Sequence, residues 1–127
     1  MTEHRTPLAR VRGLGSAKTG TAHFWHQRLT AVANVPLTIA FVLIVLALLG
    51  RNHAAAQQIL ATPLVAIVML LFIGSVTYHM RIGMQVIIED YVHDEAAKYA
   101  LLIANTFFAI VVGFSSIYAI LKLSFGV

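Results

Sequence analysis

No cysteine occurs anywhere in this chain, which excludes a disulfide framework, a thiolate zinc site and an iron–sulfur cluster ligated by the chain itself. Charge is nearly as scarce, with charged residues at 11% and five Asp and Glu against nine Lys and Arg. A glycine-rich nucleotide loop is also missing. What fills the remaining sequence is apolar: 59% of 127 residues, at a mean hydropathy of +0.82. One soluble core cannot hide that much apolar surface, so the expected solvent is lipid.

The formal charge of +4 is concentrated at one end. Arg5, Arg10, Arg12, Lys18 and Arg28 precede the first long apolar run and are opposed only by Glu3. Lys and Arg accumulate on the cytoplasmic side of a membrane protein, so the N-terminus is expected there. A nucleic-acid role is not expected, because the cluster lacks interleaved aromatics and a folded basic domain. The polar stretch is too long for a signal n-region and the apolar run exceeds a signal core, so no cleaved signal is expected. An Arg-rich, acid-poor stretch also leaves open the remnant of a mitochondrial presequence.

Residues 1–22 bear Gly13, Gly15 and Gly20 and no helical apolar period, and are expected to form an extended or loosely ordered cytoplasmic arm. Residues 23–127 are the expected membrane domain, opened by Phe24 and Trp25 at the headgroup level. Three spans are expected, at about 29–49, 60–88 and 99–121. The first holds Pro36 and stops at Gly50-Arg51-Asn52-His53. The second is about 29 residues, roughly 43 Å of helix, long enough to tilt or to project its last turns into the cytoplasmic interface. A short polar loop, Val92 to Lys98, precedes the third. The fold class expected is all-α, an integral membrane protein of three transmembrane helices with its C-terminus across the membrane.

Ionisable side chains inside a span are costly and mark function, and only the second span holds them, as His79 and Arg81. The first and third spans are expected to be ordinary lipid-compatible helices. Ser75, His79 and Gly83 fall within about 40° of one another on successive turns, so small residues flank the imidazole. Three readings stay open on this pattern: a histidine ligating a haem that lies across the adjoining turns, a small-residue packing surface, or an interhelical hydrogen bond. Met80 and Met84 project away from the stripe and are expected to be packing material. The other histidines, at 4, 23, 26, 53 and 93, lie outside the apolar runs. A second axial histidine would therefore come from another chain or a symmetric copy.

Asp90 is eleven residues past His79, a net rotation of about 20°, and Tyr91 follows it. At the cytoplasmic edge a phenol can hydrogen-bond a quinone carbonyl while a carboxylate beside it relays protons, or the two can simply end a helix in solvent. Arg28 and Arg81 can each lift a guanidinium to the interface and pair a haem propionate, Asp90 or a lipid phosphate.

The run His79-Met80-Arg81-Ile82-Gly83-Met84-Gln85-Val86-Ile87-Ile88-Glu89-Asp90-Tyr91-Val92-His93 resembles the signature of the hydrophobic membrane-anchor subunit of succinate dehydrogenase, respiratory complex II. In that family a histidine is followed by a glycine one turn on and, at a fixed interval, by an Asp-Tyr pair. The run from His23 to Ala31 is similar to the family's arginine-bearing start of the first helix. The resemblance implies a three-span anchor that packs with a companion cytochrome b anchor into a helical bundle and docks the flavoprotein and iron–sulfur subunits. It implies His79 as one axial ligand of a haem b shared with the companion, and Tyr91, Asp90 and Arg28 at the ubiquinone site. Arg81 has no family role that maps onto it, and His93 is given none. FAD and iron–sulfur clusters would reside only in partner subunits, and the isolated chain would not be catalytic. The implied location is the bacterial inner membrane, multi-pass, with a periplasmic C-terminus; the mitochondrial inner membrane is the alternative. Two further alternatives are a fumarate reductase anchor and a non-catalytic helical assembly or transport module without haem.

Overall fold

The computed structural model describes residues 6–13 and 20–126, all helix and short connections. His4, Arg5, Gly15 and Lys18 of the N-terminal arm lie outside the described residues. The helices are α1 (Pro7–Val11), α2 (Gly20–Leu48), α3 (His53–Ala61), α4 (Pro63–Tyr91) and α5 (Glu95–Phe125). Three of them, α2, α4 and α5, are long and apolar enough to cross a membrane, as the sequence predicts.

The N-terminal arm is more helical than expected. Thr6 accepts a hydrogen bond from the Ala9 amide at 3.2 Å and Pro7 supplies a preset first turn, so Pro7–Val11 coils once before Gly13 turns with φ 65°. Helix α2 then starts at Gly20, within the expected arm, and runs through Pro36. The bond that Pro36 cannot donate is the one to the Val32 carbonyl. Gly50, at φ 71°, ends this region in the left-handed conformation that glycine adopts without strain.

A short helix, α3, lies between the first two spans where the sequence suggests only a polar connection. Asn52 caps it by accepting from the Ala55 amide at 2.9 Å, and His53-Ala-Ala-Ala-Gln-Gln continues it with good helix formers. Pro63 ends it, because a residue before proline avoids the helical region, and Thr62 is extended at φ −64°, ψ 122°. The same proline occupies the first turn of α4, so the second long helix starts at Pro63 and Leu60 belongs to α3. Leu60 packs with Met69 and Ile120, joining α3, α4 and α5.

Only three residues, Val92 to Asp94, connect α4 to α5. Asp94 caps α5 by accepting from the Ala97 amide at 2.7 Å, which draws Glu95–Lys98 into the helix. Helix α4 is the central member, with α2 on one side and α5 on the other. Gly113 brings α5 close to Thr77 of α4: a Cβ there would meet Thr77 Cγ2 at 3.3 Å. Little apolar surface is hidden within the chain, since α2 has no buried residue and Val32, Val35, Ile39, Leu43 and Leu46 are exposed. Such faces require lipid or other helices against them.

Candidate functional site: a histidine groove between α2 and α4

Helices α2 and α4 meet along an antiparallel polar seam. The Ser75 hydroxyl donates to Asn34 Oδ1 at 2.6 Å, and Thr30 Oγ1 lies 2.9 Å from His79 Nδ1. At Gly83 the nearest group to an added Cβ is Gln27 Nε2, at 3.5 Å. Further along, Phe41 and Phe72 stack with centroids 4.3 Å apart and planes 12° from parallel. The three residues Ser75, His79 and Gly83 thus face Asn34, Thr30 and Gln27 respectively. The small neighbours of His79 are used to admit α2, so the space over that stripe is not open to a flat ligand.

The imidazole instead borders a groove beside the seam, with a volume of about 340 Å³. His23, Phe24, Gln27, Arg28 and Ala31 of α2 form one wall, and His79, Ile82 and Val86 of α4 the other. Ile82, 1% exposed, closes its floor. The Arg28 guanidinium lies 5.3 Å from the centroid of the Phe24 ring, a cation–π distance. Gln27 Oε1 is buried and has no hydrogen-bond partner among the described residues. A buried amide oxygen left unpaired is costly.

Of the residues singled out from sequence, His79 and Arg28 share this groove, and Arg81 does not. The Arg81 Nε donates to Thr106 Oγ1 at 3.4 Å, and its backbone carbonyl accepts from Asn105 Nδ2 at 2.9 Å, so Arg81 clamps α4 to α5. Asp90 and Tyr91 lie at the exposed end of α4, outside the groove, with Tyr91 77% exposed. Gln85 Nε2 donates to Glu89 Oε1 at 2.8 Å, and His93 Nδ1 is 3.1 Å from the Tyr91 carbonyl.

Two aspects escape sequence reasoning. The first long helix is not merely lipid-compatible, because Gln27, Thr30 and Asn34 form a polar stripe on it; their near-helical spacing is the available signal. The second is that His23 and His26, outside the apolar runs, sit on α2 itself. His23 borders the groove, and His26 Nδ1 is 2.8 Å from the Tyr78 hydroxyl. His23 is seven residues from Thr30, the partner of His79, or roughly 10 Å along the axis. His23 and His79 border the same groove, one from α2 and the other from α4. Among the described residues no three His, Asp or Glu side chains cluster as a ligand set, so a metal at His79 would take most of its donors from elsewhere.

The fold and this groove define a polytopic helical membrane protein with a histidine presented between two spanning helices. The model of the succinate dehydrogenase/fumarate reductase transmembrane subunit family matches residues 2–113, and the chain belongs to that family. It is 29% identical to the succinate dehydrogenase hydrophobic membrane anchor subunit of Paracoccus denitrificans, over 95% of this chain and 93% of the relative. Identity to the subunit of the same name from Rickettsia bellii (strain RML369-C) is 31%, over 85% of this chain and 86% of the relative. A succinate dehydrogenase membrane anchor subunit from Reclinomonas americana is 33% identical, over 64% of this chain and 70% of that one. No solved structure gives a significant match.

Proposed function

We propose that this chain is the hydrophobic membrane anchor of a succinate:ubiquinone oxidoreductase, in which it holds one side of a haem b, forms part of the quinone-reduction site and docks the soluble subunits. The observation that carries the haem assignment is the His79 environment. One ring nitrogen is held by Thr30 within the seam, and the ring edges a groove also lined by Arg28 and Gln27. These residues fit a haem: His79 would hold its iron and Arg28 would pair a propionate. When bound, the haem supplies a one-electron redox centre. Arg81 fits a different role, holding α4 against α5 through Thr106.

A further iron ligand would come from a companion cytochrome b anchor, which would cover the α2–α4 groove and so exclude lipid and water from it. Flavin and iron–sulfur clusters fall to the flavoprotein and iron–sulfur subunits, since this chain has no cysteine to ligate a cluster. Tyr91 and Asp90, side by side at the end of α4, are positioned for a shared site. The phenol can donate to a quinone carbonyl and the carboxylate can pass protons to it, with the other walls provided by partners. The same residues suit a fumarate reductase, because direction depends on quinone type and partner potentials. In the orientation proposed, the basic N-terminus and the Asp90-Tyr91 end are cytoplasmic and α5 carries the C-terminus to the periplasm.

One observation favours a second reading. Ser75 and Gly83 are engaged by α2, as in a helix-packing surface, and a structural module of that kind predicts no haem. Purification through a tag on this chain in mild detergent distinguishes the two. The anchor reading expects co-purification of a flavoprotein, an iron–sulfur protein and a second anchor, with succinate:ubiquinone reductase activity. Recovery of the assembled chain without these partners would overturn it.

A further inference from the structure

Thr30 has one hydroxyl proton and three groups within hydrogen-bond distance. Its Oγ1 is 2.7 Å from the His26 carbonyl oxygen, 3.2 Å from that of Gln27 and 2.9 Å from His79 Nδ1. A carbonyl oxygen can only accept, so the 2.7 Å contact requires the threonine to direct its proton at its own helix backbone, the back-bond that Ser and Thr make within helices. The hydroxyl then has only lone pairs to offer His79, and Nδ1 must carry the ring proton and donate it. A neutral imidazole protonated on Nδ1 has its remaining lone pair on Nε2. Nε2 makes no hydrogen bond among the described residues, and the ring borders the groove.

We infer that Thr30 is a positioning residue for His79, selecting the Nδ1–H tautomer and fixing the ring so that Nε2 is offered to iron. The inference rests on the haem ligation proposed above and adds the residue that prepares the ligand. The neighbouring polar groups do not compete for the task. Ser75 is directed at Asn34, and the side-chain oxygen of Gln27, a residue that borders the groove, has no partner among the described residues. Threonine suits the role better than serine because its β-branch restricts the hydroxyl's swing. Donation from Nδ1–H also makes the ligand more electron-rich, which favours ferric over ferrous iron.

The test compares Thr30→Val, Thr30→Ala, Thr30→Ser and His79→Ala in the purified complex, reading haem content, the low-spin spectrum and the midpoint potential. Loss of a histidine's outer partner typically weakens metal binding about 10–100-fold, and a neutral hydroxyl belongs at the low end. The valine and alanine variants are expected to hold haem about tenfold more weakly, and their midpoint potential is expected to rise because the ligand is less electron-rich. Thr30→Ser is expected to restore most of that shift. Should Thr30→Val fail to assemble, the alanine–serine pair decides. Unchanged haem content and potential in Thr30→Val and Thr30→Ala would overturn the role, as would an equal shift in Thr30→Ser. An unchanged low-spin spectrum in His79→Ala would instead remove the haem ligation beneath it.

Discussion

The Asn34–Ser75 bond gives the α2–α4 seam a measurable energy. At 2.6 Å between two half-buried side chains it is short, and Ser75→Ala would leave the Asn34 side-chain oxygen without its donor. In soluble proteins an abandoned buried partner costs about 1–3 kcal/mol. Membrane proteins show smaller values, averaging about 0.6 and reaching about 1.7 kcal/mol in double-mutant cycles, because the separated helices find other partners. The short distance and the adjoining Thr30–His79 contact argue for the upper half of that range, about 1 kcal/mol, or roughly fivefold in the unfolding equilibrium. Replacing both partners with apolar groups removes the unpaired amide, so Asn34→Leu with Ser75→Ala should be less damaging than the sum of the two single changes. The assay is a double-mutant cycle on the purified complex, titrated with SDS in mild detergent and read by release of this chain. A coupling below about 0.2 kcal/mol, or a double variant as unstable as the sum, would refute the seam as an energetic link.

Two further outcomes follow from particular residues. Gly113→Val places methyl groups against Thr77, already 3.3 Å from a bare Cβ, and should destabilise the α4–α5 packing by about 1–3 kcal/mol. Thermal dissociation of the complex measures this, and Thr77→Ala in the same chain should recover part of the loss. Tyr91→Phe removes one donor from the exposed end of α4 and should lower kcat/KM for ubiquinone about tenfold, the equivalent of one hydrogen bond, while leaving the haem spectrum unchanged. Steady-state succinate:ubiquinone reductase kinetics on membranes check it, and full activity would remove Tyr91 from the quinone site.

The three long helices are legible in the sequence because lipid imposes a simple demand: every crossing segment must be apolar for about twenty residues and satisfy its own backbone. His79, Gly83, Asp90 and Tyr91 are legible together because they lie on one helix, where spacing alone sets relative position. What one helix shows another depends on tertiary packing, and there the sequence is less informative. The spacing of Gln27, Thr30 and Asn34 marks a polar stripe, but nothing in it names His79 as the partner of Thr30 until α4 packs against α2. Helix α3 is hidden for a local reason, since Asn52 and Pro63 mark its ends while its polar start resembles a loop between spans. His23 and His26 look like surface residues only because α2 continues past the apolar run that defines its span.

The central claim is that His79 ligates haem, and the reduced-minus-oxidised visible spectrum of the purified complex tests it most directly, wild type beside His79→Ala. Wild type should give a low-spin b-type signal that the variant loses or converts to high spin. An unchanged low-spin spectrum in the variant would contradict the claim and leave the Thr30 bond as a helix-packing contact.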